Sequence, residues 1–325
     1  MNNFILDFEK PVSELEEQIK ELQEISSVRT DIDIGKEVKN LQTKLDSLIG
    51  EIYGNLDSWE RVQLCRHPNR PHALDYIHSI ITDFHLLHGD RKFADDKTMI
   101  TGLGYLEGKK VAVIGIEKGE NTKDKIHYNF GMSSPEGYRK ALRLMKLADR
   151  FKLPIITFID TPGAYPGLGA EERGQAEAIA DNLVEMFELG VPVISVVIGE
   201  GGSGGALGIA LGNKVFMMEY SIYSVISPES CASILWSDPS KASQAANALK
   251  LDAVKAKELG VIDALINEPA GGAHRNPESA IASVKNVLIE SINELANLND
   301  IELKQQRYEK YRKMGNQSLR NLKYG

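Results

Sequence analysis

Two short segments of this 325-residue sequence concentrate residue types suited to stabilising negative charge. The first is Asp160-Thr161-Pro162-Gly163-Ala164-Tyr165-Pro166-Gly167. The second is Gly199-Glu200-Gly201-Gly202-Ser203-Gly204-Gly205-Ala206. Each follows a short apolar run, Pro154 to Asp160 and Val191 to Ile198, of the kind that forms buried parallel strands. Each also precedes a helical stretch, and ligands bind parallel α/β sheets at the carboxyl ends of their strands. Glycine lets a backbone approach a ligand with no Cβ in the way. The amides that open a helix lack intrahelical partners and carry a partial positive charge. Two such amides aimed at one oxygen make an oxyanion hole.

The second segment fits three chemistries. Gly199-x-Gly201-x-x-Gly204, with Glu219 downstream, has the outline of a dinucleotide fingerprint, although the helix after it is short and the unit lies mid-domain. Gly201-x-Ser203-x-Gly205 has the spacing of a nucleophile elbow. Its triad would draw on Asp238, Asp252 or Asp263 and on His274, the only later histidine. The third reading is an oxyanion hole with no side-chain nucleophile. Elsewhere, His85 and His88 stand beside Gly89-Asp90-Arg91, but no matched third ligand accompanies them, so capping or surface roles outweigh a metal site.

The composition narrows the setting. Lys and Arg number 38 against 46 Asp and Glu, a net charge of −8, which argues against a dedicated nucleic-acid or anionic-membrane binder. Cys65 and Cys231 lie far apart without a C-x-x-C pair, so the chain carries neither a self-contained zinc ribbon nor a disulfide framework, and a reducing compartment is expected. The start, Met1-Asn2-Asn3-Phe4, lacks the pattern of a secretory signal, and no apolar run is long enough to span a membrane.

The elements that position the two segments follow from periodicity. Val12, Leu15, Ile19 and Leu22, then Ile34, Val38, Leu41, Leu45, Leu48 and Ile52, predict two amphipathic helices broken between Ser26 and Gly35. They serve either as a docking arm for another subunit or as a layer on their own domain. Prolines interrupt Arg66-His67-Pro68-Asn69-Arg70-Pro71-His72, and a helix is expected from Ala73 to Leu87. Met99–Leu106 and Lys109–Glu117 read as a β-hairpin turning at Glu107-Gly108. Ser134-Pro135-Glu136 opens a helix to Phe151. Further helices are expected from Glu171 to Leu189 and from Gly204 to Leu211, with strands at Lys214–Met218, Ile222–Ile226 and Val261–Ile266 and mostly helix after Pro228. This alternation implies an α/β fold with right-handed parallel crossovers.

Long motifs identify a relative. Asp160 to Gly167, Ala170-Glu171-Glu172-Arg173-Gly174-Gln175, Ile198 to Leu207 and Ser224-Val-Ile-Ser-Pro-Glu229 resemble the α subunit of bacterial and plastid acetyl-CoA carboxylase carboxyltransferase. Arg66-His-Pro, Arg70-Pro, Asn129-Phe-Gly-Met132, Pro135 to Met145 and Gly271-Gly-Ala-His274 extend the resemblance over nearly the whole chain. It implies a crotonase-like spiral of ββα units, with an N-terminal helical arm (1–95) followed by a carboxyltransferase domain with C-terminal helices (96–325). It implies an α2β2 assembly whose β subunit carries the zinc ribbon and shares the active site, working with a biotin carboxyl carrier protein and a biotin carboxylase in bacterial cytoplasm or plastid stroma. The implied reaction, in fatty acid synthesis, passes a carboxyl group from carboxybiotin to acetyl-CoA and yields malonyl-CoA. Two oxyanions develop, so fixed donors are needed. The biotin anion can itself remove the methyl proton, which suits loops rich in glycine and poor in acids and histidines.

By the same resemblance Gly204 and Gly205 are the donors to the biotin oxygen. Gly163, Ala164, Tyr165, Gly201, Gly202, Ser203 and Ala206 line the pocket. Glu171, Glu172 and Arg173 are either a solvated helix start or contacts to the β subunit. The chain departs from its relatives at Glu120, Asn121, His127 and Tyr128, where basic residues are common, leaving Lys118, Lys123 and Lys125 as the cations available for CoA phosphates. A lone-acting crotonase-like hydratase or thioesterase would instead draw on Glu200. A non-catalytic scaffold would rely on residues 1–60.

Overall fold

The computed structural model describes residues 4–28 and 35–315, so most of the expected break between Ser26 and Gly35 lies outside the described residues. The apolar runs assemble into an eight-stranded sheet. Its strands are β1 (Thr82–Leu86), β2 (Met99–Leu106), β3 (Lys109–Ile116), β4 (Ile155–Thr161), β5 (Val193–Gly202), β6 (Lys214–Met218), β7 (Ile222–Ser224) and β8 (Ala264–Ile266). The spatial order is β1-β2-β3-β4-β5-β6-β8, with β7 paired to the far end of β5. β1, β2 and β3 are antiparallel, and β3 through β8 are parallel. The β2–β3 hairpin turns at Glu107 (φ 48°) and Gly108 (φ 74°), the two positive dihedrals a tight turn of matching twist requires.

Burial alternates along the central strands because successive side chains leave opposite faces. Ile155 and Ile159 of β4 join Val193 and Val197 of β5 in one core, under helices that contribute Tyr138, Leu144 and Ile209. Ile156 and Phe158 join Ile194, Val196 and Ile198 in the other, against Tyr76, Ile77, Val284 and Leu288. Helices therefore cover both faces of the parallel region, as an all-apolar parallel strand demands.

The helices are α1 (Lys10–Val28), α2 (Gly35–Gly54), α3 (Ser58–Cys65), α4 (Ala73–Ile80), α5 (Thr122–His127), α6 (Pro135–Arg150), α7 (Leu168–Glu172) and α8 (Gln175–Glu188). They continue as α9 (Ser203–Ala210), α10 (Pro228–Trp236), α11 (Ala242–Leu249), α12 (Ala253–Glu258), α13 (Pro277–Leu295) and α14 (Asp300–Lys313). α1 and α2 pack on one another through Val12, Ile19 and Leu45, as their apolar stripes predict. From α14, the fully buried Arg307 donates Nη1 to the Leu189 carbonyl (3.0 Å) and Nη2 to the Val191 carbonyl (3.1 Å) and Asn213 Oδ1 (2.6 Å). That clamp fixes the turn from α8 into β5. Among the described residues no helix is long and apolar enough to cross a membrane.

Three elements differ from the sequence expectation. The helix expected to reach Leu87 ends at Ile80, and residues 82–86 become β1 instead. The cause is non-local: β2 carries Gly102 and Gly104, and a Cβ there would fall 2.5 Å from the Phe84 ring and 2.4 Å from Ile81 Cγ2. The expected helix from Glu171 to Leu189 is two helices, divided at Gly174 (φ 79°). The second glycine segment is not a free loop. β5 continues through Gly202 because Gly201 pairs with Thr161 of β4, and Glu200 to Gly202 pair with β7.

Candidate active site

The two glycine segments meet backbone to backbone at the carboxyl ends of β4 and β5. A Cβ on Gly202 would lie 2.2 Å from the Pro162 carbonyl oxygen, and one on Gly205 would lie 2.5 Å from both Ala164 N and Gly163 C. Glycine at these two positions is therefore what allows the segments to touch. The chain then turns at Ser203, whose φ of 53° is costly for a residue with a side chain. α9 begins at that residue, its N-cap is Gly202, and no cap side chain accepts from its first amides. The amides of Ser203, Gly204 and Gly205 thus open the helix as uncapped donors at its positive end.

The sequence-predicted site residues lie together on these two segments. Gly201, Gly205 and Ala206 are buried, and Gly163, Ala164, Tyr165, Gly202, Ser203 and Gly204 are half-buried. The first segment is pinned. Thr161 Oγ1 accepts from Gly163 N (3.0 Å), Tyr165 N donates to the Ser133 carbonyl (3.0 Å), and Gln175 Nε2 donates to the Tyr165 carbonyl (2.9 Å). An apolar cleft of about 300 Å³ runs along α9, lined by Ser203, Gly204, Leu207, Tyr223, Val225 and Tyr311. The backbone has the outline of a nucleophile elbow. However, no histidine hydrogen-bonds to Ser203 among the described residues, and His274 pairs with Glu9 on the N-terminal segment instead (2.8 Å). Glu219, the acid of the dinucleotide reading, accepts from Glu268 N (3.0 Å).

Beneath the segments lies a buried layer of charge that sequence reasoning did not assemble. Lys118 Nζ donates to Asp160 Oδ1 (3.1 Å) and to Glu200 Oε2. Arg66 Nε meets Glu200 Oε1 (2.7 Å) and its Nη1 meets Glu229 Oε1 (2.6 Å). His72 Nδ1 stands 3.0 Å from Asp160 Oδ2, and Glu200 N donates to Asp160 Oδ1 (3.0 Å). Arg70 makes a bidentate pair with Glu268 (2.8 Å for both bonds) and donates to the Ile198 carbonyl (3.1 Å). Burial works against the Asp160 and Glu200 carboxylates, but Lys118 acting together with His72 and the Glu200 amide at Asp160, and with Arg66 at Glu200, outweighs it, and both stay well ionised. Glu200 is thereby committed to two cations, not free as a proton donor. Lys118 is likewise committed, so it is not available for phosphates. Lys123 is exposed and Lys125 half-buried. The only local sign of this layer was the pair of charged residues set among prolines in Arg66-His-Pro and Arg70-Pro.

Two other singled-out side chains have partners within the chain. Arg173 pairs with Glu136 (2.8 Å) and lies over the Phe93 ring. Glu171 and Glu172 are exposed. His88 Nδ1 meets Asp95 Oδ2 (3.0 Å).

Glu9, His67 and His274 bring ligand-type atoms within 4.8 Å of one another. Their hydrogen bonds make this a latch for the N-terminal segment. Glu9 accepts from Tyr53 Oη (2.5 Å), His274 Nε2 (2.8 Å) and Leu6 N (2.9 Å). His67 Nδ1 accepts from Asn69 N (3.2 Å), which leaves Nε2–H to donate to the Phe4 carbonyl (3.1 Å). Burial opposes the Glu9 charge, but the bonds from His274, Tyr53 and Leu6 bring its pKa down to about 2. Burial, then the neighbouring His274, pushes His67 down to about 4. In both cases the unfolded chain takes up the proton first, so stability falls on acidification, between 6.5 and about 4 for His67 and between 4.5 and about 2 for Glu9. Thermal melts across this range should show that fall, and Glu9→Gln should flatten the slope below 4.5. A parental slope in Glu9→Gln would refute the latch as its source.

Comparison with known proteins places this geometry. Residues 5–315 match the profile of the family described as "Acetyl co-enzyme A carboxylase carboxyltransferase-like". The acetyl-coenzyme A carboxylase carboxyl transferase subunit alpha of Geobacter metallireducens is 55% identical over 96% of this chain and 98% of its own length. That of Haemophilus influenzae is 56% identical over 97% and 99%. In three dimensions the chain is similar to the transcarboxylase 12S, solved with methylmalonyl-coenzyme A and methylmalonic acid bound (TM-score 0.58, 18% identity, 70% of this chain and 42% of that one). It is also similar to the geranyl-CoA carboxylase beta subunit of P. aeruginosa (TM-score 0.55, 15% identity, 75% and 46%). The chain spans less than half the length of these two solved chains, and the likeness shows the crotonase-like fold expected above.

Proposed function

Because the chain belongs to the family of acetyl-CoA carboxylase carboxyltransferase α subunits, we propose that it supplies one half of a carboxyl-transfer site. The reaction passes a carboxyl group from carboxybiotin to acetyl-CoA and forms malonyl-CoA. The observation that carries this reading is the uncapped start of α9 at Gly202–Gly205, pressed against Gly163 and Ala164 and opening on an apolar cleft. That cleft and those amides fit a group with an apolar bicyclic body and one polar oxygen.

Carboxybiotin brings a ureido oxygen that becomes negative when its carboxyl group leaves. The amides of Gly204 and Gly205 receive that charge at a helix N-terminus already polarised to hold an anion. Gly163, Ala164, Tyr165, Gly201, Gly202, Ser203 and Ala206 wall the same position and keep water from it. The chain needs no general base of its own there, which accords with a site whose nearby acids, Asp160 and Glu200, are locked in ion pairs. Its partner is a β subunit in an α2β2 complex, and the zinc ribbon belongs to that partner. A biotin carboxyl carrier protein loaded by a biotin carboxylase delivers the carboxyl group, in the cytoplasm or plastid stroma. The division into an arm (1–95) and a carboxyltransferase domain (96–325) belongs to this proposal, with the paired helices α1 and α2 at the start of the arm.

The test is reconstitution. Chain plus β partner, given carboxybiotin and acetyl-CoA, should yield malonyl-CoA, while the chain alone yields none. Turnover of enoyl-CoA by the isolated chain, with no malonyl-CoA from the complex, would replace this reading with a lone hydratase.

A further inference from the structure

We infer that Lys118 is a positioning residue for carboxyl transfer: one buried ammonium ties Asp160, at the end of β4, to Glu200, near the end of β5, and so sets the spacing of the two glycine segments. The inference rests on the reading of those segments as the carboxyl-transfer site.

Lys118 lies two residues past β3, and its side chain is 15% exposed, while those of Asp160 and Glu200 are 4% and 8% exposed. Three neighbouring parallel strands therefore end on one shared cation. Asp160 immediately precedes Thr161-Pro162-Gly163, and Glu200 immediately precedes Gly201-Gly202-Ser203. The backbone contact between Pro162 and Gly202, where a Cβ would fall at 2.2 Å, leaves no slack. A small change in the Asp160–Glu200 spacing must move the first amides of α9 relative to Gly163 and Ala164.

The other groups around the pair cannot substitute for Lys118. Arg66 is paired with Glu200 and Glu229, and His72 with Asp160. Arg70 is spent on Glu268, while Glu117 accepts from Leu74 N and Gly119 N. Cys65 is a buried thiol whose pKa burial pushes upward. Removing Lys118 leaves two buried carboxylates without their shared cation, each with one remaining partner, His72 on Asp160 and Arg66 on Glu200, and their mutual repulsion then favours protonation of one of them.

The experiment compares the parent, Lys118→Met and the double variant Lys118→Met/Glu200→Gln, each reconstituted with the β partner. Readouts are kcat and KM for acetyl-CoA, the pH–rate profile, assembly by size exclusion and the melting temperature. For Lys118→Met, kcat should fall about 10²-fold with KM for acetyl-CoA changed less than about threefold. Its rate should climb as pH falls from about 8 to about 6, because protonation of one carboxyl cancels the repulsion, whereas the parent should show no such climb. The double variant, which removes that repulsion without acid, should recover kcat about tenfold over Lys118→Met. A parental kcat in Lys118→Met overturns the inference. So does a loss of rate matched by loss of assembly and melting temperature, with no recovery in the double variant or at low pH. A parent complex that makes no malonyl-CoA refutes the proposed function instead.

Discussion

Gly205→Ala is expected to lower malonyl-CoA formation by the α/β complex about 10²–10³-fold, the loss typical of one oxyanion donor. The cause is steric. The added methyl would sit 2.5 Å from Ala164 N and Gly163 C, which are backbone atoms with no rotamer to yield. Either α9 or the 162–167 segment must retreat, and the donors retreat with it. Gly204→Ala makes the contrast. Its nearest atoms are on the Ile179 side chain at 3.8 and 3.9 Å, an ordinary contact, and alanine in a helix is favoured over glycine by about 0.5–1 kcal/mol. Gly204→Ala should therefore keep or raise the melting temperature, so any fall in its turnover reports on the site alone. Steady-state rates, with assembly followed by size exclusion, check both. A Gly205→Ala complex that assembles and retains more than about a tenth of the parental rate would remove these amides from the mechanism.

Much of the fold is local and so legible in the chain. Glu107-Gly108 announces a hairpin whatever surrounds it. The runs Ile155–Thr161 and Val193–Ile198 are apolar on both alternating faces, which only a strand covered on both sides satisfies. The glycine segments stood out because an approach so close that a Cβ would fall 2.2–2.5 Å from neighbouring backbone atoms needs a residue without one, and that requirement is written one residue at a time.

What escaped was pairwise. β1 replaces a helix because Gly102 and Gly104 leave room for Phe84 and Ile81, a fit between strands rather than a property of residues 82–86. Lys118 looked like a phosphate-binding cation because its partners, Asp160 and Glu200, lie 42 and 82 residues away. A lysine that reads in the sequence as available surface charge is, once folded, an internal strut. The same distance hid Arg70 from Glu268, 198 residues downstream.

That last pair carries the largest expected effect on stability. Arg70 and Glu268 side chains are 3% and 0% exposed, and their two parallel bonds of 2.8 Å form the bidentate geometry that suits guanidinium and carboxylate. Arg70→Met should cost about 3–5 kcal/mol, because it strands Glu268 as a buried charge. Two backbone donors, Tyr220 N (3.0 Å) and Ala273 N (2.7 Å), would remain to that carboxylate, and two amides offset only part of a lost cation. The melting temperature should drop by about 10 °C. The double variant Arg70→Met/Glu268→Gln should regain part of the loss, since no uncompensated charge is then buried. Denaturant unfolding followed by circular dichroism decides the matter, with constant slope as the sign that stability alone has changed. Equal destabilisation of the single and double variants would mean that the Arg70 bond to the Ile198 carbonyl, and not the ion pair, holds this corner together. That bond ends on the residue just before Gly199, so in either case weakening the corner loosens the strand that presents the second glycine segment.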